Sequence, residues 1–261
     1  TIADNIECDP GQAFNVTAAL DLISFEEAVR IGRLVRSVST VPRVITFGGR
    51  GIVLANLLAA VEEHGDYIGI NAPRSGVYND DYHCTHLGYG VDPAVQAPTI
   101  LGRAGVPVFL LGKAADVIEN FLGRSLPMVS TPQILAETAA ILQQEETAFI
   151  CANVQETDLC GHREHPDKYA EILRQADQGI GRLRELLLPG DLLVVMADHG
   201  NDPTIGHPHH TRERVPLLFA GQRLAPGFVG ERQTLSDIAA TATRHFGAPP
   251  PQNGTPIPLW Q

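Results

Sequence analysis

Four short, unbroken apolar runs constrain this chain's fold more than any other feature. They are "VPVFLLG" (106–112), "TAFICAN" (147–153), "DLLVVMA" (191–197) and "VPLLFAG" (215–221). A strand with one face in water alternates apolar and polar residues, whereas continuous runs belong to strands covered on both faces. Helical patterns lie between them, over 131–145, 166–188 and 234–246. The last has Ser236 and Asp237 near its start and Gly247 just past its end. The expectation is an α/β core, a mostly parallel sheet with helices on both faces.

The N-terminal part reads differently. "SFEEAVRIGRLVRSV" (24–38) has a helical pattern and leads to a strand, "PRVITF" (42–47). A second helical run, "IVLANLLAAVEEHG" (52–65), leads to "DYIGINAP" (66–73). Residues 74–93, polar and dotted with glycine, read as loop. The pattern breaks at "DPAVQAP" (92–98), so two domains are expected, 1–95 and 96–261. The tail "APPPQNGTPIPLW" is proline-rich and is expected to run over the surface.

Composition excludes several functions. A hydrophobic content of 44% over 261 residues supplies a sizeable core, which argues against disorder. A formal net charge of -11 leaves no basic stripe for nucleic acid and none for an anionic membrane surface. No apolar run reaches the roughly 20 residues of a membrane span. The four cysteines lie far apart with no CxxC pair, as in a reduced, cytoplasmic protein.

The chemistry sits where the strand runs end. "DLLVVMADHG" closes on Asp198 and His199, and ligands in open parallel sheets bind at the carboxyl ends of strands. Two adjacent ligands suit a pair of metals roughly 3.5–4 Å apart, each ion taking one. "TAFICANVQETDLCGH" similarly places Asp158 and, four residues on, His162 behind a strand. Six of the ten histidines fall between 162 and 210, so the strand ends read as a metal site. "HPHH" offers more imidazoles than one ion needs, and His207 and His209 stay open as ligands or neighbours. His165 reads as a solvated neighbour in the first turn of a helix.

"ADHGNDPT" followed by "HTRERVPLL" resembles the C-terminal signature of the phosphopentomutases, in the alkaline phosphatase superfamily. The likeness extends to "GERQTLSDIAATATRHFG" (230–247), "GKAADV" (112–117) and "TIADN" (1–5). The "DLCGH" spacing is closer to cofactor-independent phosphoglycerate mutase, of the same superfamily. The resemblance implies a metal-binding core and a smaller α/β cap that covers the substrate. It also implies two divalent metal ions, manganese expected, with zinc or magnesium as alternatives. Carried over residue by residue, Asp158, His162 and His210 would hold one ion, and Asp198 and His199 the other. Asp4 and Lys113 match positions near the sugar phosphate.

Two departures accompany the resemblance. The superfamily's remaining metal-binding aspartate and its Thr or Ser nucleophile match nothing here, and Ser75 and Thr204 read as loop residues. The nucleophile is therefore expected upstream of Thr1, with that upstream N-terminal segment a partner of this chain. The arginine-rich stretch that helps hold the phosphosugar is also missing. The strand reads "RVITFGG" instead, with Arg74 and Arg50 as the candidate replacements. "NDDYHCTH" reads as a polar cap loop, with a separate metal site as its less favoured reading.

The expected function is metal-dependent phosphoryl transfer on a small phosphorylated molecule, as in a mutase of the isomerase class. Ribose 5-phosphate is expected to be a poor substrate, because the arginines are missing. The alternatives are a phosphatase or phosphodiesterase, in which water attacks, or a non-catalytic metal-binding subunit without the nucleophile. Histidine must be neutral to ligate, so activity should fall below the histidine titration range.

Overall fold

The computed structural model describes residues 1–8, 11–79, 81–88, 92–224 and 226–259. Asp80 of the "NDDYHCTH" stretch, residues 89–91 and Trp260 of the tail lie outside the described residues. The chain divides into two compact units, Thr1–Val91 and Asp92–Gln261.

The first unit is built on one mixed sheet. Its elements are β1 (Ile2–Asp4), β2 (Ala13–Ala19), α1 (Phe25–Val38), β3 (Arg43–Gly49) and α2 (Leu54–Ala59), then β4 (Val61–His64), β5 (Tyr67–Ile70), α3 (Ala72–Ser75) and β6 (His83–Gly88). The sheet runs β4-β5-β1-β2-β3-β6. β2 and β3 are parallel, so a crossover must join them, and α1 is that crossover. Ser24 caps α1 by accepting from the Glu27 N–H, and Glu26 and Glu27 complement the dipole of the first turn. α1 lies close on the sheet because residue 32 is glycine: a side chain there would collide with Thr46 of β3.

Two expectations for this unit need correcting. The run 52–65 is not one helix. It ends at Ala59, and Val61–His64 pairs antiparallel with β5 across a turn in which Gly65 takes a φ of 64°. Cross-strand pairing outweighs the helical propensity of the leucine-rich run. The stretch read as loop contains β6, whose Cys84 and His86 share a face with Phe47 and Ile45 of β3. Its polar side chains hid the strand alternation.

The second unit contains a 3₁₀ turn (Pro93–Val95), α4 (Ala97–Arg103), β7 (Val108–Leu111), α5 (Lys113–Val117), β8 (Arg124–Leu126) and α6 (Thr131–Gln144). There follow β9 (Phe149–Ala152), α7 (Glu156–His162), α8 (Pro166–Leu186), β10 (Leu193–Met196), β11 (Leu217–Ala220) and α9 (Ser236–His245). β7 lies between β8 and β9 with both pairings parallel. It is covered on both faces, as its unbroken apolar run requires. Val108 and Leu110 pack with Ala97 and Leu101 of α4, while Phe109 and Leu111 pack with Ile134 and Ile141 of α6.

β10 and β11 form a separate antiparallel pair, so the parallel part of the mostly parallel arrangement suggested by the sequence is β8-β7-β9. A parallel return needs a crossover, usually a helix, and none forms between Met196 and Leu217 among the described residues. The tail lies largely on the surface, as expected, except where Ile257 and Leu259 are buried. Ile257 is fully buried, and its N–H donates to the Thr241 hydroxyl at 2.9 Å. Asp237 anchors the same segment. It accepts from the Thr255 N–H and from Arg232 Nε, each at 2.7 Å. No described helix is long and apolar enough to cross a membrane.

Candidate metal centre

Three loops of the second unit, each following the carboxyl end of a strand, build the site. β7 ends at Leu111, and the φ of 69° and ψ of -146° at Gly112 turn the chain into Lys113. β9 leads into α7, where Asp158 and His162 stand one turn apart on the same helix face. β10 leads to Asp198 and His199. The chain then loops out and returns at an isolated bridge between Gly200 and Thr211, with the Thr211 N–H donating to the Gly200 carbonyl at 2.9 Å. The bridge sets His210 beside His199, with ring centroids 3.6 Å apart and planes inclined by 16°.

The side chains converge on Asp158 Oδ1. His162 Nε2 and His210 Nε2 each approach it to 3.2 Å, and His199 Nε2 lies at 3.9 Å. The two nitrogens of His162 and His210 are 3.1 Å apart. One ligand atom each from Asp158, His199 and His210 fall within 4.8 Å of one another. Ligands about 2.0–2.1 Å from a tetrahedral ion stand roughly 3.3 Å apart, close to the spacings among Asp158, His162 and His210, while His199 stands wider at 3.9 Å.

Protonation is fixed from outside the cluster. His162 Nδ1 faces the Pro208 carbonyl at 2.5 Å, and since a carbonyl only accepts, Nδ1 carries the proton and Nε2 points inward. Hydrogen bonding to Asp158 raises the His162 pKa, against the opposing effect of burial. Burial alone would raise the Asp158 carboxyl. The hydrogen bond and charge of His162, the Asn201 amide and the Lys113 ammonium outweigh it and hold the carboxyl well below its ordinary range. Burial, then the nearby His199, lowers the His210 pKa.

The other sequence candidates are placed as follows. Asp198 is largely exposed, and its Oδ2 lies 3.7 Å from His199 Nε2. Lys113 Nζ stands 3.7 Å from Asp158 Oδ2. His207 and His209 are exposed with ring centroids 5.5 Å apart, and His165 is the N-cap residue of α8. In the first unit, Asp4 accepts from the Ile68 N–H at 3.0 Å. Arg74 pairs with Glu62 at 2.9 Å and donates to the Ala59 carbonyl. Ser75 is fully buried with its hydroxyl on the Ala72 carbonyl, and the Thr204 hydroxyl donates to Asp202. Sequence reasoning missed Asn201, which donates to Asp158 Oδ1 at 2.9 Å. Its place in "DHGND", three residues after Asp198, was the available signal.

The family model of the Metalloenzyme superfamily matches residues 57–250. The chain belongs to the Metalloenzyme superfamily. All the residues gathered around Asp158 lie inside the matched range. Among curated members, the phosphopentomutase of Anaeromyxobacter dehalogenans (strain 2CP-C) is 37% identical over 156 residues, 58% of this chain and 40% of that protein. The phosphopentomutase of Herpetosiphon aurantiacus is 39% identical over 173 residues, 64% and 44% of the two chains. The present chain thus spans less than half the length of these curated superfamily relatives. A solved phosphoglycerate mutase from Leishmania mexicana aligns at 18% identity with a TM-score of 0.49, covering 62% of this chain and 38% of that one.

Proposed function

We infer that this chain supplies a divalent-metal centre for phosphoryl transfer on a small phosphorylated sugar, as a mutase of the phosphopentomutase kind. The observation that carries the reading is the convergence of Asp158, His199 and His210, with ligand atoms within 4.8 Å of one another. One carboxylate oxygen and two imidazole nitrogens suit a divalent ion and leave coordination positions open, as a catalytic ion requires. Asp158, His199 and His210 would hold it, a grouping that departs from the one the resemblance implies, in which His162 joins Asp158 and His210 while His199 and Asp198 hold the second ion. When bound, such an ion polarises a phosphoryl oxygen and stabilises the charge that develops on it.

The chain's own groups prepare the site for that role. Asp158 stays ionised throughout the physiological range. His162 is oriented through Nδ1 by the Pro208 carbonyl, which turns Nε2 toward the centre. Lys113 sets a cation beside the same carboxylate, suited to neutralise an incoming phosphate. We assign the phosphate to Lys113 rather than Arg74, whose guanidinium is committed to Glu62 and Ala59. The first unit takes the role of the substrate-covering cap. Manganese is the ion we assign, since a mixed oxygen and nitrogen donor set accepts it. Among the described residues none of the four cysteines is in a disulfide, which supports a cytoplasmic setting.

Paramagnetic broadening tests the reading without requiring turnover. With manganese bound, the ³¹P resonance of at least one small sugar phosphate should broaden beyond the effect of free manganese. Both His210→Ala and Lys113→Ala should reduce the excess. Tight manganese binding with no excess broadening by any small sugar phosphate would reject a phosphoryl-transfer role.

A further inference from the structure

One side chain outside the metal-ligand set fastens the loop after β10 to α7. Asn201 Nδ2 donates to Asp158 Oδ1 at 2.9 Å and to the Asp158 main-chain carbonyl at 3.3 Å. The amide fits because residue 161 is a buried glycine. A Cβ at that position would fall on the Oδ1, Cγ and Nδ2 atoms of Asn201. Gly161 and Asn201 therefore form one joint, a cleared spot on the helix and the amide that fills it.

The joint reaches beyond packing in two respects. Its donor meets Oδ1, the same oxygen that His162 and His210 approach to 3.2 Å. That hydrogen bond fixes the plane of the carboxylate while leaving further lone pairs of Asp158 for a ligand. The amide is also neutral. Lys113, 3.7 Å from Oδ2, steadies the carboxylate with a charge that opposes any incoming cation, whereas Asn201 steadies it with no such penalty.

We propose that Asn201, docked on Gly161, is a positioning residue that aims the Asp158 carboxylate between His199 and His210 and so sets the centre's affinity for a divalent ion. The proposal rests on reading Asp158, His199 and His210 as a metal centre.

Cobalt(II) titration of the full chain tests it, followed by calorimetry and by the visible d–d bands, which report ligand geometry. Asn201→Ala should bind cobalt about 10–100-fold more weakly than wild type, the usual cost of losing a group that orients a ligand. Its bands should also change in shape. Gly161→Ala keeps the amide but pushes it off the helix, and should reproduce both effects; it also serves if Asn201→Ala fails to fold. A purely structural role would lower the melting temperature of the metal-free variants and leave cobalt affinity and bands as in wild type, which would overturn the proposal. Absence of cobalt binding by wild type would instead remove the metal-centre reading, and the proposal with it.

Discussion

His199 and His210 stack with ring centroids 3.6 Å apart, held side by side by the bridge between Gly200 and Thr211. Two imidazoles at this distance repel if both are protonated, and with both neutral each offers a nitrogen lone pair. An ion shared with Asp158 relieves the crowding of acceptors. Saturating manganese should therefore stabilise the second unit. At a hundred times Kd the gain is about 2.7 kcal/mol, or roughly 5–11 °C in melting temperature for a unit of this size. Calorimetric scans with and without chelator measure it, and His210→Ala should abolish the difference.

The inward-turned end of the tail should make a large contribution to stability. Ile257 is fully buried and bonded to Thr241, so Ile257→Ala should destabilise the second unit by about 2–5 kcal/mol. Urea unfolding measures it. A change within about 0.5 kcal/mol, typical of surface sites, would show that Ile257 is not packed as described.

Acid should weaken the same anchor. The Thr255 N–H, with Arg232, holds the Asp237 carboxyl below its ordinary range despite the opposing effect of burial. A depressed carboxyl contributes stability above its unfolded value, near 3.9, and loses it as pH falls through the lower folded value. Asp237→Asn should cost about 2–3 kcal/mol at neutral pH. The gap from wild type should narrow below about pH 4, and denaturant midpoints across pH read this directly.

Gly112 joins fold to site. Its backbone lies in a region open essentially to glycine, and a side chain there would meet the Asn153 carbonyl. Gly112→Ala should cost about 1–3 kcal/mol and displace Lys113. Manganese-dependent affinity for inorganic phosphate should fall with it, as for Lys113→Ala.

Much of this was legible in the sequence where a residue's role depends on near neighbours. The runs that became β7, β9, β10 and β11 stand out as unbroken apolar stretches, although only β7 is buried along its whole length. α1, α6 and α8 show their helical periodicity. Asp158 and His199 are visible as polar residues just beyond such runs. Pairing decided the rest. Val61–His64 looks helical until β5 pairs with it, and β6 looks like loop until β3 supplies its other half. Asn201 finds its partner 43 residues earlier in the chain, and Ile257 its partner 16 residues earlier. No local pattern encodes those distances.

The most direct test of the metal centre is an anomalous difference map from crystals of the chain equilibrated with manganese. The account predicts a peak about 2.0–2.2 Å from an Asp158 oxygen and from a ring nitrogen of both His199 and His210. A map with manganese bound elsewhere and no peak among these three residues would contradict it.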